Sequence, residues 1–191
     1  KELNFDKLVI ANGGSVFIPE IKGLENSKYK TFKTIEDAKE ISKKVKPKSN
    51  SIVIGAGMIG VELAFSLAEK GNKISLLEAK ENILPNIEIF ERCEINKVTP
   101  KKIILQAKEV EFDNLFLCTG IRANTSLSEK AGLKTNKGIV VNKSLETSYK
   151  NIYACGDCVE SFEFNTDKKI FSQLGSTAVR QAKVIARNIL G

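Results

Sequence analysis

A chain of 191 residues, 42% hydrophobic and 28% charged, has enough apolar material for a packed core in one ordinary domain or two small lobes. It has four cysteines and no histidine, which excludes histidine-based acid–base or nucleophilic catalysis and leaves a structural zinc only a four-thiolate site that the spacing does not supply. The net charge of +7 comes from lysines dispersed along the chain and seldom interleaved with aromatics, so no nucleic-acid groove is expected.

Apolar runs such as Leu8 to Ala11 and Ile52 to Ile54 fall far below the roughly 20 residues that span a bilayer, and no charged-then-apolar leader opens the chain. A soluble, cytoplasmic protein without a membrane partner is expected. The lysine at position 1 suggests that sequence upstream is missing. Cys93, Cys118, Cys155 and Cys158 are too few and too scattered for a disulfide scaffold, which suits a reducing compartment.

In chain order, "FDKLVIA" (5–11) reads as a buried strand entering the turn Asn12-Gly13-Gly14. Residues 15–33 read as a linker. An amphipathic helix is predicted over 34–46, with Thr34 as N-cap, Glu36 and Asp37 in the first turn, and an end before Pro47. From Ser51 the order is strand, glycine turn, helix, strand, which predicts an α/β fold with a parallel sheet. Further strands are predicted at 87–91, 103–106, 115–118, 139–141 and 152–154, and a final helix over 176–189 with Ala178, Ala182, Ile185 and Ile189 inward.

Between the strand ending at Glu78 and the next apolar run the chain allows only "AKENILPN". Parallel neighbours need a crossover of about a dozen residues or more. Either the two strands form an antiparallel hairpin or a helix is missing near 85–86, and the second is expected.

"GAGMIG" sets Gly55, Gly57 and Gly60 in GxGxxG spacing between a strand and a helix. Gly55 permits the tight turn, Gly57 leaves room for a pyrophosphate, and Gly60 lets helix and sheet approach. The helix N-terminus, around Met58 and Ile59, turns free N–H groups and a positive dipole end toward phosphate. Glu78 lies 23 positions after Gly55, where an acid accepts from adenosine ribose hydroxyls and repels a 2′-phosphate, so NADH is favoured over NADPH. Lys80 is the residue that could blur that choice.

"LVIANGG" (8–14), "GAGMIGVE" (55–62), "LFLCTGIRANTSL" (115–127) and "NIYACGDCVE" (151–160), in this order, resemble the flavin-dependent pyridine nucleotide-disulfide oxidoreductases. The tail "LGSTAVRQAKVIARNILG" looks most like the NADH oxidase and coenzyme A disulfide reductase branch. The resemblance implies a Rossmann-like NAD(H)-binding domain, about 34–148, inserted in the C-terminal part of an FAD-binding domain, about 1–33 and 149–191. The cofactors it implies are FAD and NAD(H).

By the same resemblance, Asp157 meets the flavin's ribityl or ribose-phosphate region, and Leu174, Gly175 and Ser176 start the helix that faces the isoalloxazine. Ala11, Asn12 and Gly13, and the turn Thr119-Gly120, lie among the cofactor contacts, and Glu62 lies near the nicotinamide. Glu62 reads equally as an exposed first-turn helix acid. Arg122 is either an anion-positioning group or a surface charge.

Asn12 stands where the family usually has threonine, and Val16 and Ala123 replace common prolines. The family's N-terminal flavin fingerprint, the redox-active cysteine after it and the C-terminal dimerisation domain are absent from this sequence.

The resemblance implies hydride transfer from NADH to FAD and on to oxygen, a disulfide or another acceptor, in a full-length homodimer, with the present chain incomplete and inactive alone. An isolated NAD(H)-binding module without flavin is the alternative. A thiol–disulfide exchanger using Cys155 and Cys158 is a third reading, weakened because the pair follows a strand and belongs to the longer flavin-type signature.

Overall fold

The computed structural model describes residues 2–79, 89–90, 93–106, 108–163, 166 and 168–190. In chain order the elements are β1 (Leu8–Ile10), β2 (Gly14–Val16), β3 (Tyr29–Thr31), α1 (Ile35–Lys44), β4 (Asn50–Ile54), α2 (Met58–Glu69), β5 (Lys73–Leu77), β6 (Ile89–Phe90), β7 (Ile95–Val98), β8 (Lys102–Leu105), β9 (Glu109–Glu111), β10 (Asn114–Leu117), β11 (Ile121–Ala123), α3 (Ser126–Lys130), β12 (Ile139–Val140), β13 (Ile152–Ala154), β14 (Val159–Phe162), β15 (Lys169–Ile170) and α4 (Gly175–Leu190). Short 3₁₀ turns sit at Leu24–Asn26 and Gly156–Cys158. The chain divides into two compact units, residues 16–120 and residues 1–15 with 121–191.

In the 16–120 unit the strands run β3-β10-β4-β5-β6, and every pairing in that sheet is parallel. A parallel sheet is covered on both faces, so its strands read as unbroken apolar runs such as "SIVI" and "LFL". Because side chains alternate, Val53, Leu76 and Phe116 pack on one face with Ile41, Leu63, Ala64 and Leu67 of α1 and α2. Ile52, Ile54, Leu77, Leu115 and Leu117 pack on the other, against Val98, Ile103, Leu105 and Phe112 of the antiparallel β7-β8-β9 region. Phe116 and Val53 are completely buried, each worth roughly 1.5–3 kcal/mol in removed apolar surface.

Helix α1 starts where the sequence places it. Thr34 accepts the Asp37 backbone N–H at 3.1 Å while the Asp37 carboxylate accepts the Thr34 N–H at 2.9 Å, a reciprocal capping box.

In the other unit β1 lies parallel to β13, with Leu8, Val9 and Ile10 opposite Ile152, Tyr153 and Ala154. β14 pairs β12 in parallel and β15 in antiparallel fashion. Ile10, Ile139, Val141, Ala154, Val159 and Ile185 share one core. The inward face of α4 differs from expectation: Ala182 is exposed, whereas Gln181 is buried. Gln181 falls on the helical stripe with Ala178 and Ile185, and its amide is hydrogen-bonded at both ends, which removes the cost of burying it.

Two sequence expectations are corrected. Residues 15–33 are no linker, because β3 pairs with β10 and Leu24 is buried in the core of the 16–120 unit. The units also divide at 15/16 and 120/121, not at 33/34 and 148/149, since Ile139, Val141 and Leu145 pack with Ile10 and Tyr153.

β6 runs parallel to β5, Leu76 opposite Ile89 and Leu77 opposite Phe90, so the antiparallel hairpin is ruled out. The helix expected to be missing near 85–86, and Lys80, lie outside the described residues. Among the described residues no helix is long and apolar enough to cross a membrane, and no cluster of acidic, cysteine or histidine side chains could hold a metal.

Candidate functional site

The glycine loop between β4 and α2 shows why each glycine is where it is. Gly55 has φ +99°, and a Cβ there would collide with the Cys118 carbonyl. At Gly60 a Cβ would collide with the Gly55 carbonyl and stand 3.2 Å from the Cys118 Cβ, so this glycine permits the helix to rest on the loop. Gly57 differs from both: its φ is −68°, and no heavy atom lies within 4 Å of where its Cβ would stand. The space beside Gly57 is open, and it adjoins an α2 N-terminus that has no side-chain cap. An unfilled approach to a helix N-terminus is what an anionic group needs.

That loop forms one wall of a cavity of about 850 Å³, lined also by Phe17, Ile21, Glu78, Cys93, Cys118 and Thr119. It lies at the C-terminal ends of β4, β5 and β10, where open parallel sheets bind ligands. Glu78 Oε2 accepts the Ala56 backbone N–H at 2.8 Å, and the Gly55 N–H goes to the Leu77 carbonyl at 2.8 Å. The acid at the end of β5 thus grips the loop itself, a contact the sequence reading did not foresee.

Thr119 donates its hydroxyl to the Phe17 carbonyl at 2.5 Å, and the Gly120 carbonyl accepts the Phe17 N–H at 2.9 Å, with Gly120 at φ +98°. The 119–120 turn therefore anchors Phe17, which reading the segment as a linker had hidden. Met58, Ile59 and Glu62 are exposed on the first turns of α2, and Met58 is 77% exposed.

The second group of expected residues gathers in the other unit. Gly156, at φ +81°, donates its N–H to Gln181 Oε1 at 2.8 Å, and Gln181 Nε2 donates to Ser161 Oγ at 3.3 Å. Asp157 is half-buried, and its carbonyl accepts from Gln173 Nε2 at 3.4 Å, next to Leu174, Gly175 and Ser176, which are exposed at the start of α4. The turn Ala11-Asn12-Gly13 is brought beside it, since the Asn12 and Gly13 amides face the Cys158 sulfur. Asn124 locks that turn from 112 residues away: its amide donates to the Asn12 carbonyl at 2.8 Å, and the Asn12 amide donates to the Asn124 carbonyl at 3.0 Å.

All four cysteines are free. Cys158 is fully buried with its sulfur 3.1 Å from the Cys155 carbonyl, and burial pushes both thiols up despite the nearby amides of Asn12 and Gly13. Burial also raises Cys93, and it pushes Cys118 up to about 12. Thiols held protonated are poor nucleophiles, so the geometry disfavours a dithiol exchanger at Cys155 and Cys158.

The family model for pyridine nucleotide-disulphide oxidoreductases matches residues 1–182. An NADH oxidase of Methanocaldococcus jannaschii is 34% identical over all of this chain and 48% of its own length. An NADH oxidase of Enterococcus faecalis is 28% identical over 98% of this chain and 48% of its own length. Among solved structures, an NAD-dependent persulfide reductase from A. fulgidus superposes with TM-score 0.89 and 31% identity, covering 99% of this chain and 40% of that one. The chain thus spans about half the length of the curated relatives it matches. The M. jannaschii alignment runs over 215 positions against the 191 residues here, so at least 24 of its positions have no counterpart in this chain. With the strand–glycine loop–helix unit and the 151–160 turn both in place, the chain belongs to the pyridine nucleotide-disulphide oxidoreductase family.

Proposed function

We propose that residues 16–120 bind NAD(H), and that residues 1–15 and 121–191 supply part of a flavin-binding domain in a protein that passes hydride from NADH to FAD. From there electrons go to oxygen, a disulfide or another acceptor. The observation that carries this reading is the open flank of Gly57 beside the uncapped α2 N-terminus, with Glu78 lining the same cavity of about 850 Å³ and bonded to the loop at Ala56. The similarity to two NADH oxidases and an NAD-dependent persulfide reductase supports it.

The residues fit a dinucleotide. The α2 amides and the helix dipole favour a pyrophosphate beside Gly57, Glu78 accepts from ribose hydroxyls, and the apolar walls at Phe17, Ile21 and Ile54 take the flat face of a base. Thr119 and Gly120 shape the wall through Phe17, and Glu62, exposed on α2, would lie near the nicotinamide. For the flavin, the Asp157 carboxylate would accept from sugar-like hydroxyls by charge-assisted hydrogen bonds. The start of α4 at Leu174, Gly175 and Ser176 would face the ring with a positive helix end. Asn12 and Gly13 hold the adjoining turn, and Ala11 leads into it. When bound, the nicotinamide supplies hydride and the flavin accepts it; this chain's residues hold and orient the two groups.

The 24 or more positions of the M. jannaschii relative that have no counterpart in this chain are assigned to the β5–β6 connection. Eleven residues, 78–88, link those parallel strands, less than a crossover normally needs. The full-length protein is read as a cytoplasmic homodimer, for which four free thiols suit a reducing compartment.

A second reading is an NAD(H)-binding module that holds no flavin, favoured because the glycine loop, the α2 N-terminus and Glu78 all lie within the compact unit 16–120. Titrating the purified protein with NADH and FAD separately distinguishes the two: binding of both supports the flavoenzyme reading, NADH binding alone supports the module, and absence of NADH binding overturns both.

A further inference from the structure

We infer that Glu78 is a positioning residue as well as a selectivity residue: its carboxylate clamps the glycine loop in the shape that receives a dinucleotide. The inference rests on the NAD(H) reading of the cavity and deepens it. An acid at this place needs only to meet the ribose to set cofactor preference. Here Oε2 also accepts the Ala56 backbone N–H at 2.8 Å, between the two glycines that form the phosphate approach.

Among the described residues, a second bond reaches the loop from the same strand. Gly55 is tied to the Leu77 carbonyl, one residue before Glu78, so β5 reaches the loop through consecutive residues, once by backbone and once by side chain. Gly57 has no neighbour within 4 Å of its Cβ position, and α2 begins without a side-chain cap. A bond from a carboxylate to a backbone N–H is stronger than a neutral one. A carboxylate has about four acceptor sites, so gripping Ala56 and accepting from ribose are compatible. The Glu78 side-chain length therefore sets loop geometry, and its charge sets nucleotide choice.

Two substitutions separate these roles. Glu78→Gln keeps the length and an oxygen acceptor but removes the charge. Glu78→Asp keeps the charge but is one methylene too short to hold a 2.8 Å bond to Ala56. The experiment measures NADH and NADPH dissociation constants on the full-length protein, together with hydrogen exchange at the Ala56 amide without nucleotide.

In Glu78→Gln, Ala56 stays protected and the preference for NADH over NADPH falls by about tenfold or more. In Glu78→Asp, Ala56 exchange accelerates and NADH binding weakens by about tenfold, while the preference for NADH is kept. The inference is overturned if Ala56 is unprotected in the wild-type protein, or if Glu78→Asp matches wild type in both exchange and NADH affinity. A wild-type protein that protects Ala56 yet binds neither nucleotide overturns the NAD(H) reading and leaves the clamp standing.

Discussion

The side-chain oxygen of Gln181 accepts the Gly156 backbone N–H at 2.8 Å, tying the middle of α4 to the turn that holds Asp157. Gln181→Leu keeps the volume and leaves that N–H without its partner. We expect a loss of about 1 kcal/mol in urea unfolding, the cost of stranding a part-buried donor, accompanied by weaker FAD retention. Unchanged stability would show that water replaces the amide and that the tie is incidental.

The glycine loop supplies a contrast between two alanine substitutions. Gly60→Ala forces a methyl against the Gly55 carbonyl and the Cys118 Cβ, and should cost about 1–3 kcal/mol as an overpacking change. Gly57→Ala meets open space at an ordinary φ of −68°, so the fold should be unaffected or gain about 0.4–1 kcal/mol from lost unfolded-state freedom. Thermal unfolding of the two variants checks this order, and a less stable Gly57→Ala would contradict it.

Thr34→Ala removes one half of the capping box at the start of α1 and should cost about 1 kcal/mol. The measurement is the urea midpoint. Restoration by Thr34→Ser, with Thr34→Ala remaining low, identifies the hydroxyl bond to Asp37 as the cause.

The Thr34 cap, though not the return bond to the Asp37 carboxylate, was legible in the sequence, as were the strand–turn–helix around Gly55, Gly57 and Gly60 and the strand at 152–154. Each depends on residues within a few positions of one another. What the sequence hid was non-local. The polar triplet Tyr29–Thr31 gives no strand signal of its own, and it joins the sheet because β10, more than 80 residues later, offers an edge. Asn124 and Asn12 lock one another across 112 positions, a pairing with no periodicity to reveal it. On α4 the apolar pattern pointed to Ala182, but the buried place went to Gln181, whose bonds to Gly156 and Ser161 come from folding partners the sequence does not display.

Alkaline pH should destabilise the fold. Burial pushes the Cys118 thiol up to about 12 from an ordinary 9.0, and raises Cys155 and Cys158 as well. Between 9.0 and about 12 the unfolded chain has lost protons that the folded chain keeps, so stability falls as pH rises through that window, while below it these thiols contribute no pH dependence. The urea midpoint should drop between about pH 8 and about pH 10.5, and the drop should be smaller in Cys118→Ser. A midpoint that stays level, or an equal drop in the variant, would remove the thiol explanation.

The most direct test of the account is an NADH titration of the wild-type protein beside Gly57→Ala, followed by calorimetry. Saturable NADH binding that weakens by about tenfold or more in Gly57→Ala, with the fold intact, is the predicted result. Absence of NADH binding in the wild type, or equal affinity in the two proteins, would contradict the assignment of this cavity to a dinucleotide.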